Sequence, residues 1–177
     1  MKVITAPDKY KMQDGEASVF LAGGITICHN WQADVIKELN TYEYDNLVVF
    51  NPRRENFPID KSSAAYEQIE WEYNQLNNMD IFSMYFCEGV SDQPICMYEL
   101  GRYIAKMQTR FPIDWEHRII ISVEAGYKRK QDVITQVGLA CGNKINVTVQ
   151  PRADMLMYYH ANYIGKAYQR LRRRTER

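Results

Sequence analysis

"SVFLAGG", residues 18–24, sets four apolar residues in a row ahead of two glycines. A run this short, with no polar alternation and a glycine pair at its end, reads as a strand buried on both faces, the kind a parallel sheet needs. Four more runs of the same character follow at "NLVVFN" (46–51), "DIFSMYFC" (80–87), "RIIISVE" (118–124) and "INVTVQ" (145–150). Helix-like segments separate them: "NWQADVIKELN" from 30, "AAYEQIEWEYNQLNN" from 64, "PICMYELGRYIAKMQ" from 94 and "KRKQDVITQVGLAC" from 128. A last helix runs from about Ala153 to Arg173. Strand and helix alternate throughout, which favours right-handed βαβ crossovers. The expected fold is therefore α/β and flavodoxin-like or Rossmann-like. It has a five-stranded parallel sheet in the order 2-1-3-4-5, with helices on both faces. Residues 1–16 read as a polar lead-in and 153–177 as a basic helix and tail, within one domain spanning 1–177.

Composition narrows the function classes. The 22 basic and 22 acidic residues cancel, so no overall field draws the molecule to nucleic acid or to an anionic membrane. Charge is nevertheless uneven: residues 161–177 hold six basic residues against Glu176 alone. Cys28, Cys87, Cys96 and Cys141 are scattered without a C-x-x-C pair, and there are three histidines, which fits neither a zinc site nor a dense disulfide framework. That cysteine usage fits a reducing cytoplasm, and with no apolar stretch near the roughly 20 residues needed to cross a bilayer the expectation is a soluble, cytoplasmic protein.

In an open α/β sheet ligands bind beyond the carboxyl ends of the strands, where the strand order reverses. The loops after Gly23 and Cys87 are thus expected to face a substrate. Gly23 and Gly24 in "AGGIT" let a ligand approach the backbone closely, although the spacing matches neither a dinucleotide fingerprint nor a phosphate loop. "NPRRENFP" ends the second strand and presents Arg53 and Arg54, whose guanidinium forks suit phosphates, carboxylates or base edges; a solvated pair is the plain alternative.

Two carboxylates draw attention. In "YEQIEWEYNQLNNMD" the residues Ile69, Tyr73 and Leu76 keep helical spacing, and Glu72 sits beside Trp71, where loss of water would raise its pKa toward acid/base use. In "PICMYELGRYI" Pro94 opens a helix whose apolar stripe is Met97, Leu100, Ile104 and Met107, with Glu99 beside that stripe. Near a helix start the dipole favours an ionised carboxylate, so Glu99 reads as a fixed nucleophile or as a plain first-turn glutamate. Asp80, opening the third strand, lies at the end away from the ligand edge and reads as structural.

Taken in order, Phe20, Leu21, Ala22, Gly23 and Ile25, then Trp31 and Gln32, then Asn51, Pro52, Arg53 and Arg54, then Gln68, Trp71, Glu72 and Asp80, then Pro94, Ile95, Glu99, Leu100 and Gly101 resemble the nucleoside 2-deoxyribosyltransferase family over about residues 18–150. The resemblance implies Glu99 as the nucleophile that attacks C1′ of a 2′-deoxynucleoside. It implies Glu72 in place of the family's base-protonating aspartate. It places sugar contacts just before the nucleophile, where Asp92 stands one position out of register, and substrate contacts at Gly23, Gly24, Ile25, Trp31, Gln32, Asn51, Arg53, Arg54 and Trp71. The family tyrosine that orients the nucleophile aligns with Phe20, which leaves Tyr98 to serve. The resemblance implies no cofactor and no metal, a free nucleobase as second substrate, and a homo-oligomer with shared active sites, the last helix being a candidate interface.

Three functions remain open on the sequence. The first is transfer of 2-deoxyribose between bases. The second is hydrolysis of nucleosides or their 5′-monophosphates, with Arg53 and Arg54 on the phosphate. The third is a catalytically silent nucleotide- or nucleic-acid-binding protein that uses the basic tail.

Overall fold

A computed structural model describes residues 1–58 and 60–175. Six strands form one parallel sheet: β1 (Lys2–Thr5), β2 (Ala17–Gly23), β3 (Leu47–Asn51), β4 (Ile81–Phe86), β5 (Ile119–Glu124) and β6 (Thr148–Gln150). Five helices accompany them: α1 (Trp31–Leu39), α2 (Ser62–Asn78), α3 (Pro94–Arg110), α4 (Lys130–Cys141) and α5 (Ala153–Thr175). The α/β class and parallel sheet are as expected, but the strand count and order are corrected. The sheet has six strands in the order β1-β3-β2-β4-β5-β6, because the polar lead-in supplies an edge strand that pairs Lys2–Thr5 with Val48–Asn51. Its pattern "KVIT" is only half-buried, so it lacks the apolar run that marks the inner strands.

Alternation along the strands divides the core. Phe20, Ala22, Phe50, Phe82, Met84 and Phe86 point to one face, where α2, α3 and α4 cover them with Trp71, Leu100, Ile104 and Val133 among others. Val19, Leu21, Val49, Ile81 and Tyr85 point to the other, covered by α1 and α5 through Trp31, Val35, Leu156 and Ile164. Serines sit within the two inner strands because a helix residue needs them. Fully buried His160 of α5 bonds Ser83 Oγ through Nε2 at 2.6 Å and Ser122 Oγ through Nδ1 at 2.7 Å. Burial pushes its pKa down to about 3, so the ring is neutral.

The face expected for α2 is also corrected. Ile69 and Tyr73 are exposed, whereas Ala64, Trp71 and Leu76 are buried. The indole of Trp71 decides the helix rotation: it packs on the rings of Phe20 and Phe50 and donates Nε1–H to the Asp8 carbonyl at 2.8 Å, burying more area than Ile69 could. Asp80 takes its structural part at the amino end of β4, where Oδ2 accepts from Ser18 N at 2.9 Å and Ser18 Oγ at 3.0 Å.

Candidate active site

Beyond the carboxyl ends of β2 and β4 lies an open cavity of about 290 Å³. Its walls come from the β2–α1 loop (Gly23, Gly24, Ile25, Thr26), from Pro52 after β3, from Glu72 of α2, and from Ser91 to Glu99 at the start of α3. The floor is Phe20 and Ala22. Local backbone makes the approach possible. Gly23 has φ of +149°, and a Cβ there would run into the Tyr85 carbonyl oxygen and the Trp31 ring. A Cβ on Gly24 would lie 2.5 Å from Gln93 Oε1 and 2.6 and 2.7 Å from the sulfurs of Cys28 and Cys87. Only glycine fits at either place.

The two carboxylates singled out in the sequence reach this one cavity from different helices. Glu99 is the sixth residue of α3, and its pKa is pushed up to about 8, first by burial and then by the charge of Glu72, with Arg102 opposing. The expectation of an ionised group held by the helix start is thereby corrected: the dipole acts within the first turn, and one turn further on the loss of water wins. The Glu72 pKa is also raised, by burial, against the pull of Gln68 and Arg54. Gln68 Nε2 spans the Pro52 carbonyl at 2.8 Å and Glu72 Oε1 at 2.7 Å, which fixes the carboxylate in place. Cys96 also lines the cavity, but burial followed by the charge of Glu99 pushes its thiol up to about 12, and it stays protonated.

The other candidates divide sharply. Gly23, Gly24 and Ile25 line the cavity. Trp31, fully buried, stacks on Tyr85 with ring centres 4.7 Å apart and donates to the Gly24 carbonyl at 2.9 Å, so it supports the glycine turn from beneath. Arg53 turns inward: Nη2 donates to the Cys28 carbonyl at 2.7 Å, and Nη1 to the His29 carbonyl at 2.6 Å and to Gln32 Oε1 at 3.2 Å. Asn51 Oδ1 accepts from Arg53 N at 3.0 Å, and Arg54 pairs with Glu67 at 3.0 Å. Trp31, Gln32, Asn51, Arg53, Arg54 and Trp71 are thus outside the cavity wall. So is Tyr98, exposed and bonded through its hydroxyl to Arg102 at 3.1 Å. No tyrosine, lysine or arginine is among the described residues of the lining.

Asp92 is exposed as well, and the next residue takes the wall position. Gln93 is 5% exposed, has left-handed backbone with φ of 48°, and is anchored by Nε2 to the Cys87 carbonyl at 2.6 Å. Its Oε1 is buried and has no hydrogen-bond partner among the described residues. An orphaned acceptor and an unfavourable φ on one non-glycine residue single Gln93 out within the wall. A second feature absent from the sequence reading is the disulfide between Cys28 and Cys87, which ties the β2–α1 loop to the end of β4 behind Gly24. A sequence separation of 59 hid it, for only the parallel pairing of β2 with β4 brings the two together.

A family model described as "Nucleoside 2-deoxyribosyltransferase like" matches residues 16–113, a span that contains every residue lining the cavity. No curated protein was found to match the chain.

Proposed function

This chain belongs to the nucleoside 2-deoxyribosyltransferase-like family, and from that premise we propose that it cleaves the N-glycosidic bond of 2′-deoxynucleosides and passes the sugar to a second base. The observation that carries the proposal is the meeting of Glu99 and Glu72 in one cavity, each with its pKa raised by burial. The Glu99 carboxylate attacks C1′ and forms an ester as the electrons of the C1′–N bond leave with the base. Glu72 gives that base its proton. In the return step the incoming base attacks C1′, Glu72 takes its proton, and the ester oxygen departs as the Glu99 carboxylate. Base release needs the pair's one proton on Glu72 with Glu99 ionised, and the return step needs Glu72 ionised to receive the incoming base's proton.

An uncharged nucleoside is favoured over a 5′-monophosphate, since no described cation lines the cavity and Arg53 and Arg54 are engaged elsewhere. We assign Gln93 Oε1 to accept a sugar hydroxyl. Gln93→Ala is expected to raise KM for the deoxynucleoside about tenfold with a smaller change in kcat, the effect of one lost hydrogen bond. An unchanged KM would reject the assignment.

The exposed apolar residues of α2 and α3 offer a face for assembly. Tyr66, Ile69, Tyr73, Ile95 and Tyr98 are exposed on neighbouring helices, with the Arg102 guanidinium 4.9 Å from the Tyr73 ring centre, and Ile95 lies at the cavity mouth. We assign this face to contact with a second copy. Ile69→Glu with Tyr98→Glu should convert an oligomer to a folded monomer by light scattering; a mass that does not change refutes it.

The deciding experiment incubates the protein with 2′-deoxyinosine, with and without adenine, and follows products by chromatography and protein mass. Deoxyadenosine formed only with adenine, plus a deoxyribosyl adduct on the protein, is the expected result. Hypoxanthine released at one rate whether or not adenine is present would identify a hydrolase instead.

A further inference from the structure

The sheet edge opposite the carboxylate cavity carries a second concave surface. A cavity of about 300 Å³ lies between a short helical turn at Trp115–His117, the start of β5, the segment entering β6, and α5. His117, Ile120, Lys144, Ile145, Tyr163 and Lys166 are among its walls. A neighbouring hollow of about 290 Å³ shares His117, Ala167 and Arg170 with it and adds Arg173. The two form one elongated groove.

Its charge is unbalanced. Lys166, Arg170 and Arg173 stand at i, i+4 and i+7 of α5, a single helix face, and span ~10 Å at 1.5 Å per residue. With Lys144 they make four exposed cations, none with a carboxylate partner among the described residues. Their contacts are uncharged: Lys166 lies over the Tyr163 ring, Lys144 over the Trp115 ring, and Arg170 donates to His117 Nδ1 at 3.0 Å. Of the lining acids, Asp114 is taken by Arg118 at 2.9 Å and by Arg174, which leaves Glu116. Four cations against one free carboxylate leave the groove net positive, which favours an anion settling among them.

We propose that this groove binds a single-stranded phosphodiester chain. The row is longer than one phosphate needs; at about 3.4 Å per nucleotide of a stacked strand it matches roughly three. The exposed Tyr163 ring offers an unpaired base a stacking partner, whereas a duplex keeps its bases stacked inside. DNA and RNA share this chemistry. The groove and the carboxylate cavity lie at opposite ends of the strands, so binding here is independent of the proposed base exchange.

The test uses the full chain with fluorescent oligo(dT) and oligo(U) of about 12 nucleotides, with anisotropy read at several salt concentrations. The expected log–log salt slope is about −2 to −3, from three or four neutralised phosphates at about −0.7 each. Lys166→Glu with Arg170→Glu should weaken binding at least tenfold at low salt and flatten the slope, with base-release kinetics unchanged. The stronger of the two oligomers identifies the natural strand. Absence of binding at low salt, or equal binding by the charge-reversed variant, overturns the proposal. So does full competition by dTMP at equal nucleotide concentration, which means a mononucleotide site. Displacement by saturating 2′-deoxyinosine also overturns it, since the strand would then occupy the carboxylate cavity.

Discussion

Glu99→Ala is expected to abolish base release and adduct formation while the protein stays folded, a loss on the order of 10⁴-fold or more in kcat, as for removal of other covalent nucleophiles. Turnover near the unsubstituted level would refute the nucleophile. Glu99→Gln supplies the companion result on stability. With its pKa pushed up to about 8 in the fold, against 4.5 for the ordinary side chain, Glu99 keeps a proton that the unfolded chain has released. Its contribution to stability is therefore complete below about pH 4.5 and is lost as pH rises toward 8, by on the order of 4–5 kcal/mol at about 1.36 kcal/mol per unit. The amide has no proton to lose. Glu99→Gln should flatten that decline and melt higher than the parent at pH 8, with little difference at pH 4.5. A variant inactive yet more stable at pH 8 separates a strained functional group from a structural one.

The part of this architecture legible in the sequence is the part that depends on short-range pattern. Buried strands announce themselves as unbroken apolar runs, and the family residues fall in order from Phe20 to Gly101. Strand β1 was illegible because an edge strand needs only one partner and little burial; "KVIT" carries no more signal than a loop. Side-chain direction was illegible too. Arg53 and Arg54 looked like ligand-seeking cations at a strand end, yet carbonyls of the β2–α1 loop and the Glu67 carboxylate claim them, contacts that exist only after α2 has docked. Asp92 and Gln93 show how fine the limit is: adjacent on the chain, one meets solvent and the other the cavity, and the left-handed turn at Gln93 that separates them has no signature in glutamine. Glu99 was placed beside the crevice from spacing alone, but the sign of its pKa shift needed the desolvation that only packing supplies.

Glu72→Gln tests the other half of the pair. Without an acid the departing base leaves as an anion, so release of hypoxanthine or adenine should fall about 10²- to 10⁴-fold, while a deoxynucleoside whose leaving group needs no proton should react at close to the parental rate. A loss equal for both leaving groups would assign Glu72 to positioning rather than proton transfer. The pH profile adds a second discrimination. In the parent, the last proton leaves the pair near the raised pKa of Glu99, so kcat/KM should fall above about pH 8 as the acid is exhausted. In Glu72→Gln the charge that helps hold that proton on Glu99 is gone, and burial alone remains to raise it. Ionisation of Glu99 should then begin at lower pH, and ionisation now activates the nucleophile instead of emptying the acid. For the activated substrate the alkaline fall should be replaced by a rise that levels off below pH 8. The sign of the slope near neutral pH thus reports which carboxylate carries the proton.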